Sequence, residues 1–115
     1  MVVVSLESGD PFAYEQGLGL ALTIADLAAD LEGSPQVPGV APVGVVVLIS
    51  ALPQGAGAEI TLKRLKQLEL YEVPCFCPVD SGVNAVLPFV HELDAPSLQL
   101  KFAELSAQHA TFITY

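Results

Sequence analysis

Tryptophan is absent, methionine occurs once, and four lysines and arginines face thirteen aspartates and glutamates. The resulting net charge of −9 argues against nucleic-acid backbones and anionic membranes as partners, because both are held by basic patches. Cysteine is nearly as scarce. The only two, Cys75 and Cys77, are one residue apart. Same-face neighbours on a strand lie about 6.5–7 Å apart, too far for an unstrained bridge, so no disulfide framework is expected. No uninterrupted apolar run reaches the roughly 18–20 residues of a membrane span, since Asp26 and Asp30 break the longest candidate. Met1-Val2-Val3-Val4 lacks a basic flank and reads as the start of a strand, not as a signal peptide. These absences lead to the expectation of a cytoplasmic, reduced protein.

What is abundant is apolar surface. Hydrophobic residues make up 52% of the 115 residues and charged ones only 15%, more than one small domain readily hides. A single domain spanning 1–115 is expected, with homo-oligomerisation as the outlet for the excess.

The pattern along the chain is that of an α/β protein. Val2–Leu6 reads as a short buried strand, followed by turn residues Glu7-Ser8-Gly9-Asp10-Pro11. Tyr14–Leu31 is helical, with Leu20, Ile24, Leu27 and Leu31 on one stripe and Leu18, Leu22, Ala25 and Ala29 on the next. Glu32–Pro42, with three prolines, reads as a connection. Val43–Leu52 contains the run Val45-Val46-Val47-Leu48-Ile49, as expected of a central strand of a parallel sheet. A loop containing Gly55-Ala56-Gly57 leads to a helix over Glu59–Leu70, with Ile60, Leu62, Leu65 and Leu68 inward. Val73–Cys77 is the third strand, ended by Pro78. Val83–Leu87 suggests a helical turn and Phe89–Glu92 a short strand. Asp94-Ala95-Pro96 is a cap and first turn for a last helix carried inward by Leu98, Phe102 and Leu105, before a final strand at Thr111–Tyr115. This order predicts a flavodoxin-like three-layer sandwich with a mostly parallel sheet and right-handed crossovers.

The chemistry-bearing residues are few. Cys77 and then Cys75 are the candidate catalytic residues, because they close a strand where α/β folds place chemistry and share one face of the sheet. A reactive thiol needs a cation or helix N-terminus to favour the thiolate, and no positive charge lies within eight residues of either cysteine. His91 and His109 could join them in a metal site, but Cys-x-Cys is not the spacing of structural zinc motifs, and no metal or cofactor is expected. Gly55-Ala56-Gly57 lacks both the dinucleotide fingerprint and the P-loop lysine, and Glu59 would repel a phosphate, so it reads as an ordinary loop. Asp26 and Asp30 read as a solvated face. Glu7, Ser8 and Asp10 gain interest if, in a flavodoxin-like order, the first strand neighbours the third and borders Cys77. Lys63-Arg64-Lys66 reads as a solvated face, or as a surface that docks the acids of another copy.

Several segments, in order, resemble the DsrE/DsrF-like family, which includes the Tus sulfur-relay subunits. They are Asp10-Pro11-Phe12 with Gln16-Gly17-Leu18, then the stretch Leu62–Val73 leading to the cysteine strand, and the closing Ala110-Thr111-Phe112-Ile113-Thr114-Tyr115. The resemblance covers most of the chain and implies a flavodoxin-like sandwich assembled as a trimer or hexamer. In some members it implies a persulfide carried on one cysteine, which maps to Cys77 with Cys75 as second choice. The implied function is sulfur relay between a donor and an acceptor protein; the alternative is a non-catalytic assembly or binding subunit with inert cysteines. Here Pro78-Val79-Asp80-Ser81-Gly82 stands where carrier members have a helix and basic residues, and Pro53–Ala58 is shorter than the corresponding loop.

Overall fold

In the structure, a computed structural model describing residues 1–7, 10–31 and 44–115, five strands form one all-parallel sheet with helices on both faces, an α/β sandwich of three layers. The elements in chain order are β1 (Val2–Leu6), α1 (Pro11–Asp30), β2 (Val45–Ile49), α2 (Ala58–Leu70), β3 (Cys75–Pro78), α3 (Val83–Val86), β4 (His91–Leu93), α4 (Ala95–Ala107) and β5 (Thr111–Thr114). The expected connection Glu32–Pro42, together with Val43, Ser8 and Gly9, lies outside the described residues.

The strand order is β4-β3-β2-β1-β5. The expectation that the first strand neighbours the third is therefore wrong: β2 lies between them, and β1 pairs with β2 and β5. From β1 to β4 the chain steps in one direction across the sheet, and only the last crossover reverses. With crossovers of one hand, α1 to α3 fall on one face and α4 on the other. The buried clusters divide accordingly. Val4, Leu6, Val45, Val47, Ile49, Cys75 and Cys77 pack with residues of α1, α2 and α3, whereas Val3, Val46 and Leu48 pack with Leu105 of α4.

Helix α1 starts three residues earlier than the apolar period suggests. Asp10 is its N-cap, accepting a hydrogen bond from the Phe12 amide at 3.2 Å, and Pro11 occupies the first turn, where its missing N–H costs nothing. Its buried residues are Tyr14, Gly17, Leu18, Ala21 and Ala25; Leu27 and Leu31, on the other expected stripe, are exposed. Gly17 explains the choice of face. A Cβ there would lie 2.6 Å from a Leu6 methyl and 2.7 Å from the Tyr115 ring, so the helix seats closely on β1 only through this hydrogen. Helix α1 is tied to its neighbours by polar contacts as well. The Tyr14 hydroxyl donates to the Ala51 carbonyl at 3.1 Å, and the Glu15 carboxylate accepts from Thr61 and pairs with Arg64 of α2. One base of the Lys63-Arg64-Lys66 segment is thus engaged within the chain.

Three strands differ from the expected bounds by one to three residues. β3 pairs through Pro78, which is tolerated at a strand end, β4 begins at His91 instead of Phe89, and β2 is confined to the five-residue aliphatic run. Ile60 and Phe102 are exposed, although both were expected to point inward. Leu65, Leu68 and Leu105 anchor those helices, and Phe102 lies against Phe112 at 5.8 Å between ring centroids. Asp94 caps α4 as expected, accepting from the Ser97 amide at 2.9 Å, and hydrogen bonding from the Ser97 side chain, then from its amide, holds the carboxyl below the ordinary aspartate range.

Helices α2 and α4 both end in a left-handed residue that is not glycine. Glu72 has φ 56° and His109 φ 59°. In each, paired backbone bonds close the helix, Val73 N–H to Leu68 and Glu72 N–H to Glu69 in one, Ala110 N–H to Leu105 and His109 N–H to Ser106 in the other. A side chain in this conformation costs about 1–2 kcal/mol, offset in part by the larger unfolded-state entropy of glycine. Glu72→Gly is expected to raise unfolding free energy by about 0.5–1 kcal/mol in urea denaturation. Gly17→Ala is expected to lower it by about 1–2 kcal/mol, the overlap with Leu6 and Tyr115 outweighing the roughly 1 kcal/mol gain in helix propensity.

Candidate functional site

β3 carries the residues singled out by the sequence. It is short and flanked by prolines, Pro74 before it and Pro78 as its last residue, and its side chains alternate between the two faces. Cys75 and Cys77 project to the face covered by α1 to α3, while Phe76 projects to the face of α4. The pairing of both thiols on one face agrees with the strand reading.

The register fixes their neighbours. Val47 pairs with Cys75 and with Val4, so these three form one row across the sheet. The next row is Leu6, Ile49 and Cys77, all fully buried. In plane, Cys77 has the aliphatic row of β1 and β2 on one side and pairs with the exposed Glu92 of β4 on the other, with Val83 and Leu87 of the α3 segment in the same buried cluster. Cys75 is 1% exposed and Cys77 0%. The Cys75 thiol donates to the Val73 carbonyl at 3.3 Å, and burial pushes it from 9.0 up to about 12. A thiol so placed is held protonated by the absence of solvent, the reverse of what a nucleophile needs.

The turn after β3 supplies little activation. Asp80 and Gly82 take left-handed conformations, the Ser81 amide donates to the Pro78 carbonyl, and the Ser81 hydroxyl accepts from the Val83 amide at 3.3 Å. The helix that follows is a single turn of four residues whose N-cap, Gly82, offers no side-chain bond. No lysine or arginine is brought to it. Glu7 follows β1, two strand spacings or about 10 Å from β3, and Asp10 serves as the α1 cap. The expected border between Cys77 and the first strand's end is not formed by Glu7 or Asp10, and Ser8 lies outside the described residues.

A groove of about 710 Å³ lies beside the β4 edge, bordered by Cys75, Phe89 and Leu93. Its charged groups are Glu69, Glu72 and Glu92, with His91 and no lysine or arginine, a lining that repels phosphate and sulfur oxyanions. His91 is exposed and lies 6.0 Å from the Phe76 ring between centroids, and Lys101 of α4 covers Phe76 at 4.9 Å. His109 is elsewhere, after α4. Among the described residues, no group of three or more His, Cys, Asp or Glu side chains could hold a metal ion. Gly55 and Gly57 have positive φ and no atom within 4 Å of an added Cβ, as in an open loop, and Glu59 stands in the first turn of α2.

Two polar features escaped the sequence reading, the Tyr14 hydroxyl on Ala51 and the Glu15–Thr61–Arg64 cluster. The first had a signal in the phase of Tyr14 with Leu18 and Ala25. The second had none, because Glu15 is 46 residues from Thr61 and 49 from Arg64 and meets them only once α1 and α2 lie side by side.

The chain matches no protein-family model, no curated protein and no solved structure. Among the described residues no helix is long and apolar enough to cross a membrane.

The Cys75 environment has a measurable signature. A rise from 9.0 to about 12 corresponds to a thiolate fraction about a thousandfold smaller than in the unfolded chain at pH 8. Alkylation of Cys75 by iodoacetamide, followed by peptide mass, is expected to be slowed at least to the rate of local opening. Because the folded thiol is the harder to ionise, its contribution to stability is complete below pH 9 and is lost as pH rises toward about 12. Cys75→Ala should flatten the fall in stability over that window.

Proposed function

We propose that the chain is a non-catalytic assembly or binding subunit with a DsrE/DsrF-like fold, cytoplasmic and homo-oligomeric, in which Cys75 and Cys77 are core residues. The observation that carries this reading is the burial of both thiols in the core of the sheet face covered by α1 to α3. A persulfide carrier must present its sulfur to two proteins in turn, so its cysteine must be reachable, and it must be a thiolate to accept sulfane sulfur. The first condition is not met by either side chain as folded, since both are buried, and for Cys75 burial also opposes the second. The unmatched apolar content points toward assembly: Phe12, Ile60, Leu70 and Leu100 are each more than 60% exposed.

A second reading, sulfur relay through Cys77 with Cys75 behind it, is favoured by one observation. Cys77 is the next-to-last residue of β3, at the carboxyl edge where open α/β sheets bind their ligands. In this reading the Pro78–Gly82 turn and α3 would have to lift away to expose the sulfur.

Incubation with a persulfide-bearing donor protein, read by intact mass, separates the two. The assembly reading expects no added sulfur and unchanged oligomeric mass in Cys77→Ala. A gain of one sulfur atom that disappears in Cys77→Ser would overturn it in favour of relay.

A further inference from the structure

The sheet has two edges, and they are protected very differently. β4 presents only three residues, His91-Glu92-Leu93, followed by Asp94 and bordered by Glu69 and Glu72 across the groove. Shortness and charge are the ordinary means by which an edge is kept from pairing with another chain. β5 has neither. Ala110-Thr111-Phe112-Ile113-Thr114-Tyr115 contains none of the chain's 17 charged residues (thirteen acids and four bases), no proline and no glycine. It is rich in β-branched and aromatic residues, the composition that pairs most readily.

The backbone of β5 is half used. The Thr111 amide donates to the Met1 carbonyl at 3.0 Å, the Tyr115 amide donates to Ser5 at 2.8 Å, and the Glu7 amide donates to Tyr115 at 2.9 Å. In a parallel ladder the alternate residues turn their N–H and C=O to the other side. Phe112 and Thr114 therefore aim two donors and two acceptors away from β1, where no described strand lies. Thr111, Phe112 and Thr114 are exposed, and the Phe112 ring, on the face that α4 alone covers, is 39% exposed beside Phe102 at 38%.

We infer that β5 is a self-association edge, pairing antiparallel with β5 of a second copy about a two-fold axis at Ile113. This names the assembly surface of the function proposed above, and its test does not depend on thiol chemistry. The alternation dictates the register. Phe112 and Thr114 of one copy form hydrogen-bonded pairs with Thr114 and Phe112 of the other, four bonds in all, and Ile113 opposes Ile113 in the closer, non-hydrogen-bonded site. Each Phe112 then lies across from a Thr114 on the α4 face, and the two Phe102–Phe112 pairs flank a continuous ten-stranded sheet. The contact is isologous and closes on itself, as two-fold interfaces do. A second copy fits this edge because the segment is complementary to itself in bonding and carries no charged side chain to oppose a like chain. The pair is a building block for a hexamer and is incompatible with an isolated trimer.

The test is the mass of the 115-residue chain in solution by sedimentation equilibrium, with variants that act only at the edge. Wild type is expected to form species of even copy number. Thr114→Pro removes an outward N–H without touching the β1 ladder, and is expected to halve the copy number. Ile113→Cys should cross-link to a covalent dimer under mild oxidation, because opposed Cα atoms in such a site are about 4.5 Å apart. Thr111→Cys, which does not face itself in this register, should not. If Thr114→Pro fails to fold by circular dichroism, the cysteine pair decides alone. A monomeric or strictly trimeric wild type, an assembly unchanged in folded Thr114→Pro, or cross-linking no better at 113 than at 111 would overturn the inference.

Discussion

The rest of the molecule depends on the single reversal in strand order between β4 and β5. Three crossovers of one hand stack α1, α2 and α3 on the same face of the sheet, and the returning crossover leaves the opposite face to α4. One face is thus crowded and dry, and the other is thinly covered. Where a residue falls in the alternation of its strand decides which of these environments it meets. Cys75 and Cys77 fall on the crowded face, and Phe76, between them, on the thin one.

That placement reverses the first impression given by the cysteines. A strand-end position at the carboxyl edge is where α/β folds position reactive groups, but position acts only through exposure and electrostatics. The Leu6–Ile49–Cys77 row keeps its thiol out of contact with solvent, and in the Val4–Val47–Cys75 row burial drives the thiol strongly toward its neutral form. Cysteine in such rows behaves as a small hydrophobe that fits between branched neighbours. The polar interactions of this face are instead at its rim. Tyr14 bonds the backbone beyond β2, and Glu15 gathers Thr61 and Arg64, so the helices are fixed to one another and to the strand ends.

The elements were largely legible because each carries a local signal. The aliphatic run at Val45–Ile49, the cap and proline at Asp94-Ala95-Pro96, and the alternation of Cys75, Phe76 and Cys77 each specify their structure within a few residues. What was not legible depends on contacts between distant segments. The order of strands is decided by which faces must be covered, so the assumed adjacency of β1 and β3 failed while every strand was found. The choice between the two stripes of α1 turned on Gly17, whose missing side chain leaves no hydrophobic signal but allows the helix to approach Leu6 and Tyr115. The start of α1 is a different case. Asp10-Pro11 is the same cap pattern as Asp94-Ala95-Pro96, and was obscured by the neighbouring Ser8 and Gly9, which made it read as a turn. The site was less legible than the fold, since burial of a thiol is a property of the finished sheet and not of its neighbours in sequence.

The distribution of charge completes the argument about assembly. Two copies at −9 each repel, but at physiological ionic strength that repulsion is screened over about 8 Å and acts mainly through charges near the contact. Here four acids, Glu69, Glu72, Glu92 and Asp94, stand at or beside the β4 edge, and the β5 segment itself carries no charged side chain. The same total charge that keeps the protein from indiscriminate association therefore leaves one edge open to it. An edge strand without charge, beside a sheet face covered by a single helix, is costly for a chain that must remain alone. It is an economical arrangement for one that does not, because hydrogen-bonding groups, β-branched surface and exposed aromatic rings are all satisfied by one contact.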